Sequence, residues 1–356
     1  MGCKYHLPCI LFFHLPSFLF HSVSFMKVLL TGASGLVGHA TLLAVLARGH
    51  EVLAVGGERL PGLPIGAAAQ KKAMAIQCDL TDAFALDRLA FDYYPDALIN
   101  CAAISSQAAV EAQPELAEKL NVALPRRMAQ IANHLGAPLL HLSTDFVFDG
   151  ESGPYRSTDV PMPRTLYGQL KLMAEKEVLR YGGDTVVVLR ITVVNGNSPT
   201  GKRSLHEKLL HSLTAGKPVT LFSDELRQPV SAINVADVLT ELIERPNLHG
   251  LFHWAGPDTL SRYEIGQKIL RHFGLPENLV VPALSADQPD TDKRPRKLEF
   301  ILPPLLGKLK AQPTPFEQQL EELIIPAECQ EWYQRTRVTA GSVQPATRRL
   351  VQGKDF

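Results

Sequence analysis

The sequence predicts an α/β fold in which a doubly wound parallel sheet is joined to a smaller C-terminal lobe. From residue 26 onward, short apolar runs alternate with longer segments whose apolar residues recur at helical spacing. This alternation is typical of a parallel sheet with helices on both faces. Polar residues follow the apolar runs, at the strand ends beyond which doubly wound folds bind their ligands.

The first predicted strand leads into a glycine turn. Residues 27–38, KVLLTGASGLVG, read as an apolar strand, a turn and the start of a helix that extends to residue 47. Gly32 allows a tight turn, Gly35 lets the backbone approach a pyrophosphate, and Gly38 lets the helix lie close to the sheet. Unpaired N–H groups at a helix N-terminus also suit phosphate. The stretch therefore predicts a dinucleotide site, and a glycine turn that binds nothing is the alternative.

The remaining elements follow in chain order. Five further strands are predicted at residues 51–55, 73–78, 97–101, 138–142 and 185–189, with helices at 114–135 and 166–181. After Gly196 the predicted order is helix, strand, helix, strand and helix, at residues 205–215, 218–222, 234–244, 251–254 and 261–273. Asn234 and Ser261 are the predicted N-caps of the last two helices, and Glu264 completes a capping box with Ser261.

These patterns predict the domain organisation. Residues 26–196 form a dinucleotide-binding domain on which residues 232–250 pack back, residues 197–325 form mainly a substrate-binding lobe, and residues 326–356 form a loosely ordered tail. Residues 1–25 are apolar and aromatic, but they lack the features of a signal peptide and are short for a membrane span. We expect this extension to lie outside the fold and Met26 to be the true start. A membrane-associating leader is the alternative.

Composition argues against several classes of function. The 36 acidic and 36 basic residues balance, so there is no electrostatic case for binding nucleic acid. The five cysteines are too scattered for a disulfide framework or a zinc site, and we expect no bound metal. Cys78 and Cys101 fall in strand-like runs and are expected to be buried thiols. This cysteine usage fits a reducing, cytoplasmic location.

Three polar residues form a candidate catalytic group. Tyr167 and Lys171 are four residues apart on a predicted helix, so they share one face, and Thr144 follows the fifth predicted strand. A lysine beside a tyrosine stabilises the phenolate and lowers the tyrosine pKa. Tyr167 would then be a general acid for a carbonyl oxygen, to which Thr144 could also donate a hydrogen bond. For an isolated Tyr-x-x-x-Lys pair, a solvated helix face is the alternative.

Several longer stretches carry a resemblance to a known family. They are TGASGLVG (31–38), NCAA (100–103), STDFVFDG (143–150), YGQLKLMAEK (167–176), LRITVVNG (189–196), RQPVSAINVADV (227–238) and GLFHWAGPDTLSRYEI (250–265). Over roughly residues 26–324 the chain resembles extended short-chain dehydrogenase/reductases and, more narrowly, dTDP-4-dehydrorhamnose reductases. The resemblance implies a Rossmann fold, reduction of a 4-keto nucleotide sugar, and catalysis by Thr144, Tyr167 and Lys171.

The resemblance also implies a set of cofactor-binding residues. They are Gly32, Ser34, Gly35, Leu36 and Val37 at the pyrophosphate, Asp79 and Leu80 at the adenine, and Ala102, Ala103, Tyr167 and Lys171 along the rest of the cofactor. Asn121 matches a helix asparagine of the family, with a surface asparagine as the alternative. Arg59 follows the second strand and favours NADP, because a guanidinium suits a 2′-phosphate, whereas Glu58 keeps NAD open.

The substrate side is expected to involve Asp145, Arg227 and Arg294. The two guanidinium groups suit the diphosphate of a nucleotide sugar, and surface charges are the alternative. The segment DELRQPV (224–230), and Asn195 where the family often has tyrosine, depart from the family pattern and leave the sugar open. Relatives are commonly dimeric, so we expect a homodimer.

A second function is compatible with the same resemblance. The regulatory β subunit of methionine adenosyltransferase resembles this family, and residues 250–265 are similar to its corresponding stretch. Such a protein would bind NADP and a partner enzyme without reducing a sugar. The intact set of Thr144, Tyr167 and Lys171 favours the enzyme.

Overall fold

The computed structural model describes residues 25–63, 72–217, 219–287 and 294–337. Its strands are β1 Lys27–Thr31, β2 Glu51–Gly56, β3 Ala73–Gln77, β4 Ala97–Asn100, β5 Leu139–Thr144, β6 Val186–Ile191, β7 Val194–Asn195, β8 Val219–Phe222, β9 Leu226–Arg227, β10 Val230–Ser231, β11 Gly250–Trp254, β12 Leu260–Ser261, β13 Val280–Ala283 and β14 Lys297–Leu298. Its α-helices are α1 Leu36–Ala47, α2 Ala83–Tyr93, α3 Gln107–Ala112, α4 Pro114–Glu118, α5 Leu124–Leu135, α6 Leu166–Tyr181, α7 Leu205–Thr214, α8 Ala232–Ile243, α9 Arg262–His272, α10 Phe316–Glu321 and α11 Gln330–Thr336.

Seven of these strands form the central sheet of the described residues, and every pair of neighbours is parallel. Their order is β3–β2–β1–β4–β5–β6–β11. The chain therefore winds outward from β1 in both directions, and the strand order reverses between β1 and β4. Ligands bind such sheets at the carboxyl ends beside this reversal. The predicted doubly wound α/β fold is confirmed.

Alternate residues of each central strand pack against helices on opposite faces of the sheet. Val28 and Leu30 belong to a buried cluster with residues of α1 and α8, whereas Leu29 belongs to a cluster with residues of α5 and α6. Because successive side chains of a strand point to opposite faces, a continuous apolar run such as this one is buried on both faces. Helix α8 therefore packs back beside α1, and β11 completes the sheet next to β6.

A separate apolar core lies in the C-terminal half of the chain. It is built from α7, α9 and α10 together with the parallel pair β8 and β13. The segment after Pro326 joins this core through Cys329, which is fully buried. The prediction of a loosely ordered tail is therefore wrong for residues 327–336, which form a short 3₁₀ turn and α11. The rest of the expected tail, residues 338–356, and the extension at residues 1–24 lie outside the described residues.

The structure differs from the sequence prediction in one further helix and in one helix cap. Helix α2 was not predicted; it begins after Asp82, whose carboxylate accepts hydrogen bonds from the backbone N–H groups of Phe84 and Ala85. Helix α8 is capped by Ser231 and not by Asn234. The predicted capping box of α9, formed by Ser261 and Glu264, is confirmed. In the part of the chain that the structure describes, no helix is long and apolar enough to cross a membrane.

The glycine turn after β1 is required by close packing of backbone on backbone. Gly32 has a φ of +73°, and a Cβ there would lie 2.5 Å from the backbone nitrogen of Ala102. A Cβ on Gly38 would meet the Gly32 carbonyl group, with its carbon atom at 2.7 Å. Gly32 and Gly38 thus have the turn and packing roles that their spacing predicts.

We expect Gly38→Ala to lower the free energy of unfolding by at least about 2 kcal/mol, because the carbonyl group of the preceding turn cannot move aside. The matched control is Gly266→Ala in α9, where the added Cβ meets only the end of the Leu221 side chain. That variant should stay within about 1 kcal/mol of the parent, since alanine is also the better helix former. Urea unfolding measures both changes, and equal losses would contradict the backbone argument.

Candidate active site

A cleft of about 910 Å³ opens at the carboxyl ends of β1, β2, β3 and β4. Most of the residues that the sequence assigned to the cofactor line it, and they come from four different loops. The lining includes Gly32, Ser34, Gly35, Arg59, Asp79, Leu80, Ala102 and Ala103, together with Cys101 and Arg203. The other two members of the predicted pyrophosphate loop, Leu36 and Val37, form the first turn of α1 and are partly buried.

The N-terminus of α1 faces this cleft without a side-chain cap. Gly35 is the N-cap, no side chain accepts a hydrogen bond from the first turn, and the first turn has no acidic residue. The first N–H groups of a helix need partners, and its N-terminus carries a partial positive charge. The turn can therefore receive an anionic group such as a pyrophosphate.

The mouth of the cleft carries both charged side chains that bear on the choice of cofactor. Glu58 and Arg59 are exposed there, just after β2. The carboxylate of Asp79 accepts hydrogen bonds from the backbone N–H and the hydroxyl of Thr81, at 2.9 and 2.7 Å. These bonds lower the pKa of Asp79 and keep it ionised.

Asn121 holds the loop that forms one wall of the cleft. It lies in a π-helical turn, Lys119–Ala123, between α4 and α5. Its side-chain oxygen accepts from the Ile104 backbone N–H at 2.8 Å, and its amide donates to the Ile104 carbonyl at 2.9 Å. Asn121 is 1% exposed, so the alternative of a surface asparagine is wrong. π-Helical turns within helices often occur at functional sites.

The structure brings the three candidate catalytic residues together next to this cleft. None of the three is among the described residues that line it, but Tyr167 packs against the same apolar cluster as Ile104 of the lining. Thr144 ends β5, and Tyr167 and Lys171 lie in the first two turns of α6. The Thr144 side chain lies close enough to the Tyr167 phenol to lower its pKa. Gly168 makes this approach possible, because a Cβ there would collide with the carbonyl group of Phe146. The fold thus places two hydroxyl groups side by side at the end of a central strand.

The electrostatics of this group differ from the sequence prediction. Burial raises the pKa of Tyr167 to about 12, with a smaller contribution from nearby Asp145, and the Thr144 side chain opposes the rise. The expected lowering by Lys171 is wrong, because Lys171 Nζ donates instead to the Leu142 carbonyl at 2.5 Å. Burial lowers the pKa of Lys171 itself to about 8. Tyr167 is therefore a protonated phenol at neutral pH.

The lowered pKa of Lys171 has a consequence for stability. Between pH 8 and 10.5 the unfolded chain binds more protons at this residue than the folded chain, so the contribution of Lys171 to stability rises with pH. Lys171→Met removes this dependence. Between pH 7 and 9.5, the free energy of unfolding of the parent should therefore rise by about 2 kcal/mol relative to that of the variant. Parallel denaturation at the two pH values measures the gain, and a constant difference would contradict it.

Asp145 lies next to the two hydroxyl groups and is 2% exposed. Its Oδ1 accepts a hydrogen bond from Thr144 Oγ1 at 3.1 Å, but its Oδ2 has no partner among the described residues. Burial raises the pKa of Asp145, and the positive charges of Arg227 and Arg262 oppose the rise. A buried oxygen without a partner is costly, so it is available to a hydroxyl group of a ligand.

Three arginines surround one buried carboxylate on the far side of Asp145. Glu225 lies 3.6 Å from Arg227 Nη2, 3.6 Å from Arg262 Nε and 3.0 Å from Arg294 Nε. Within this cluster Arg227 is fully buried, and its Nη groups donate to the backbone carbonyls of Leu226, Pro295 and Arg296. Among the donors of Arg227, only Nε has no hydrogen-bond partner in the described residues, and the Nε atoms of Arg262 and Arg294 also have none. Arg262 is 16% exposed and Arg294 is 33% exposed, so these two are the more accessible members.

Comparison with known proteins identifies the family. The family model described as the RmlD substrate binding domain matches residues 26–329. The chain belongs to this family. The predicted resemblance to dTDP-4-dehydrorhamnose reductases is thereby confirmed.

Individual members of the RmlD family differ in what their names describe. Methionine adenosyltransferase 2 subunit beta of Xenopus laevis is 33% identical over 310 residues, which cover 84% of this chain and 87% of that protein. The probable low-salt glycan biosynthesis reductase Agl14 of Haloferax volcanii is 30% identical over 301 residues, which cover 84% and 97%. The dTDP-4-dehydrorhamnose reductase of Bacillus anthracis, solved in complex with NADP, superposes with a TM-score of 0.71 at 20% identity, over 84% of this chain and 98% of that one. This last likeness supports the fold.

Behind the candidate catalytic group lies a buried ion pair that the sequence did not reveal. Glu175, one turn after Lys171, accepts from Arg190 Nε at 2.9 Å and from Nη2 at 2.7 Å. Ser143 also donates to this carboxylate. Both charged side chains are 2% exposed. The pair fixes α6 against β5 and β6, and therefore fixes Tyr167 and Lys171 relative to Thr144.

Other residues of the site were missed, although the sequence carries a signal for some of them. Asn100 and His141 are polar residues inside otherwise apolar strands, which is unusual for strands buried on both faces. Arg203 and Arg262 had no such signal, because they come from separate segments that meet at the site only after folding.

Proposed function

We propose that this protein is an NAD(P)H-dependent oxidoreductase that reduces the 4-keto group of a nucleotide-linked sugar. The observation that carries the proposal is the closeness of the Thr144 and Tyr167 side chains at the end of β5. Tyr167 also packs against the same apolar cluster as Ile104, which lines the large cleft. A carbonyl oxygen that lies between the hydroxyls of Thr144 and Tyr167 accepts hydrogen bonds from both of them. This arrangement supports reduction, because negative charge develops on that oxygen as the carbon accepts hydride.

The residues of the chain divide the work as follows. The N-terminus of α1 would hold the pyrophosphate of the dinucleotide, and Lys171 would hold its nicotinamide ribose. The bound dinucleotide supplies hydride. Tyr167 donates its phenolic proton to the carbonyl oxygen, and Thr144 donates a hydrogen bond to the same atom. Tyr167 is protonated at neutral pH, as a proton donor must be.

On the substrate side, Asp145 and the arginine cluster support a sugar joined to a diphosphate. The unpaired Oδ2 of Asp145 suits a sugar hydroxyl near the reacting carbon. Arg262 and Arg294, the more accessible arginines, suit the diphosphate, since guanidinium groups bind phosphate oxygens in pairs. Arg227 has a smaller part here than the sequence predicted, because its Nη groups already bind backbone carbonyls.

The cofactor preference is a separate prediction. The exposed Arg59 at the mouth of the cleft supports NADP over NAD. We expect NADPH to bind at least about tenfold more tightly than NADH, and Arg59→Ala to remove most of this difference, since a charged hydrogen bond contributes about 1.5–3 kcal/mol. Fluorescence titration with both cofactors measures the two affinities. Glu58→Gln is the control and should improve the binding of NADPH only slightly. Equal affinities in the parent protein would contradict the preference.

The second candidate is a non-catalytic regulatory subunit that binds NADP and a partner enzyme. The 33% identity to the methionine adenosyltransferase subunit supports it. The test of both candidates is turnover of NADPH with a panel of 4-keto nucleotide sugars, together with a binding assay for a methionine adenosyltransferase catalytic subunit. Reduction of a panel member supports the enzyme. Tight NADPH binding without any turnover, combined with capture of the catalytic subunit, supports the regulatory role.

Two further expectations from the sequence remain predictions. A homodimer would appear as a doubled mass in light scattering of the purified protein. A cytoplasmic location would place the protein in the cytosolic fraction of its own cells. The proposed reaction requires neither of them, because every residue assigned to it belongs to one chain.

A further inference from the structure

A row of four buried polar side chains crosses the sheet beneath the cleft. Thr31 ends β1, Asn100 ends β4, His141 lies in β5, and Lys171 lies in α6. None of the four is more than 3% exposed. Three hydrogen bonds join them: Thr31 Oγ1 to Asn100 Oδ1 at 2.7 Å, Asn100 Nδ2 to His141 Nδ1 at 3.1 Å, and His141 Nε2 to Lys171 Nζ at 3.1 Å.

The direction of the row is fixed at Asn100. A backbone N–H group can only donate, and the N–H of Ala102 donates to Asn100 Oδ1 at 3.1 Å. The oxygen of the amide must therefore face Ala102, and the hydroxyl of Thr31 donates to the same oxygen. The NH₂ group of Asn100 is left to face His141, so Asn100 donates to the imidazole.

This direction determines which ring nitrogen of His141 carries the hydrogen. Burial lowers the pKa of His141 well below its ordinary value, so the ring is neutral. Because Nδ1 accepts from Asn100, the single ring hydrogen lies on Nε2. The Nε2–H group therefore points at Lys171 Nζ. An ammonium group has three hydrogens and no lone pair, so it cannot accept this bond, whereas a neutral amine can.

We propose that His141 is a positioning residue whose Nε2–H group favours the neutral amine form of Lys171 in the cofactor-free protein. Lys171 Nζ then accepts from His141 Nε2–H and donates to the Leu142 carbonyl. The proposal rests on the proposed function only for the part that Lys171 plays in the reaction. Both tests below use the protein without substrate, so they can fail or succeed independently of turnover.

Three other titratable groups lie near Lys171. Glu175 on α6 acts in the opposite direction, because its negative charge raises the pKa of Lys171. Cys101, after β4, is a neutral thiol whose pKa burial raises to about 12. Tyr167, one turn before Lys171, is a neutral phenol at neutral pH. His141 is therefore the group whose hydrogen bond favours the amine, in addition to burial.

The first test reads the tautomer of His141 directly. Long-range ¹H–¹⁵N correlation spectra of the full chain labelled with ¹⁵N-histidine distinguish a protonated Nε2 from a protonated Nδ1. The His141 signals are assigned by their loss in His141→Gln. The proposal predicts that Nε2 carries the hydrogen at pH 9, where Lys171 is mostly the neutral amine. A hydrogen on Nδ1, or a doubly protonated ring, would overturn it.

The second test reverses the direction of the row. Asn100→Asp keeps the shape of the side chain but replaces the donor to His141 with an acceptor. The ring hydrogen should then move to Nδ1, and Nε2 becomes an acceptor for an ammonium group. NMR titration of the ε-carbons of labelled lysine follows Lys171, assigned by its loss in Lys171→Met. Asn100→Asp should raise the Lys171 midpoint by at least about one pH unit.

A double variant separates the hydrogen-bond effect from the new negative charge. In a His141→Leu background the charge is still introduced, but the imidazole that transmits the change is absent. In this background, Asn100→Asp should raise the Lys171 midpoint by less than half as much as it does in the parent, because the effects of coupled residues are not additive. An equal rise in both backgrounds, or no rise with Asn100→Asp, would overturn the proposal. If the variants do not fold, the tautomer measured in the parent protein still decides it.

Discussion

Replacing Tyr167 by phenylalanine is expected to lower kcat by about 10²–10⁴-fold, the range typical for the loss of a positioned general acid. The ring is partly buried and packs edge-on against Phe146, at 5.9 Å between centroids, and phenylalanine can keep that contact. The hydroxyl acts mainly on the charge that develops during the reaction. The KM and the thermal midpoint should therefore change little.

The matched control for this variant is Tyr181→Phe at the C-terminal end of the same helix. Tyr181 packs against a different apolar cluster from that of Tyr167 and lies 14 residues further along the helix. Its variant should react at the parent rate. If a substrate is known and Tyr167→Phe also reduces it at the parent rate, Tyr167 is not the proton donor.

The second large effect is on stability. Glu175→Gln should lower the free energy of unfolding by about 3 kcal/mol, because it leaves the buried guanidinium of Arg190 without its counter-charge. The loss should also reduce turnover, since the pair holds α6 and hence Tyr167 in place. Urea denaturation measures the first effect, and steady-state kinetics of the folded variant measures the second.

Glu177→Gln provides the comparison on the same helix. Glu177 forms an ion pair with Arg126 at 3.3 Å, but Arg126 is 45% exposed and Glu177 is 23% exposed. Surface pairs of this kind contribute little, so the loss should stay within about 0.5 kcal/mol. Similar losses for the two variants would mean that the Glu175–Arg190 pair does not stabilise the packing of α6.

Much of the fold could be predicted because local patterns and packing agree. The strand and turn at Lys27–Gly38 combine a buried apolar run with glycines that backbone contacts require, and α6 occupies its predicted residues 166–181. Helix α2 was missed because its outward face carries Phe84 and Phe91, which are 85% and 42% exposed and obscure the helical pattern.

The wrong cap of α8 has a tertiary cause. Asn234 is a good capping residue, but its side chain is used elsewhere: its oxygen accepts from Trp254 Nε1 and its amide donates to the Gln312 carbonyl. Ser231, three residues earlier, is left to cap the helix. Contacts with residues so distant in the chain cannot be read from the local pattern.

The candidate site was predictable to the same extent. Thr144, Tyr167 and Lys171 follow from strand and helix spacing, and the structure brings them together. The surroundings of Arg227 do not follow from spacing, because they depend on backbone carbonyls about 70 residues later. The predicted lowering of the Tyr167 pKa was also wrong, because the hydrogen-bond partners of Lys171 come from β5 and not from its own helix.

The most direct test of the central claim is the transfer of deuterium from labelled cofactor to a sugar. The protein is incubated with NADPH that carries deuterium at the transferable position, and with 4-keto nucleotide sugars. The products are then analysed by mass spectrometry and NMR. The account predicts a product with deuterium on carbon 4, and its near absence with Tyr167→Phe. Tight NADPH binding without deuterium in any sugar product would contradict the claim that this protein is a nucleotide-sugar reductase.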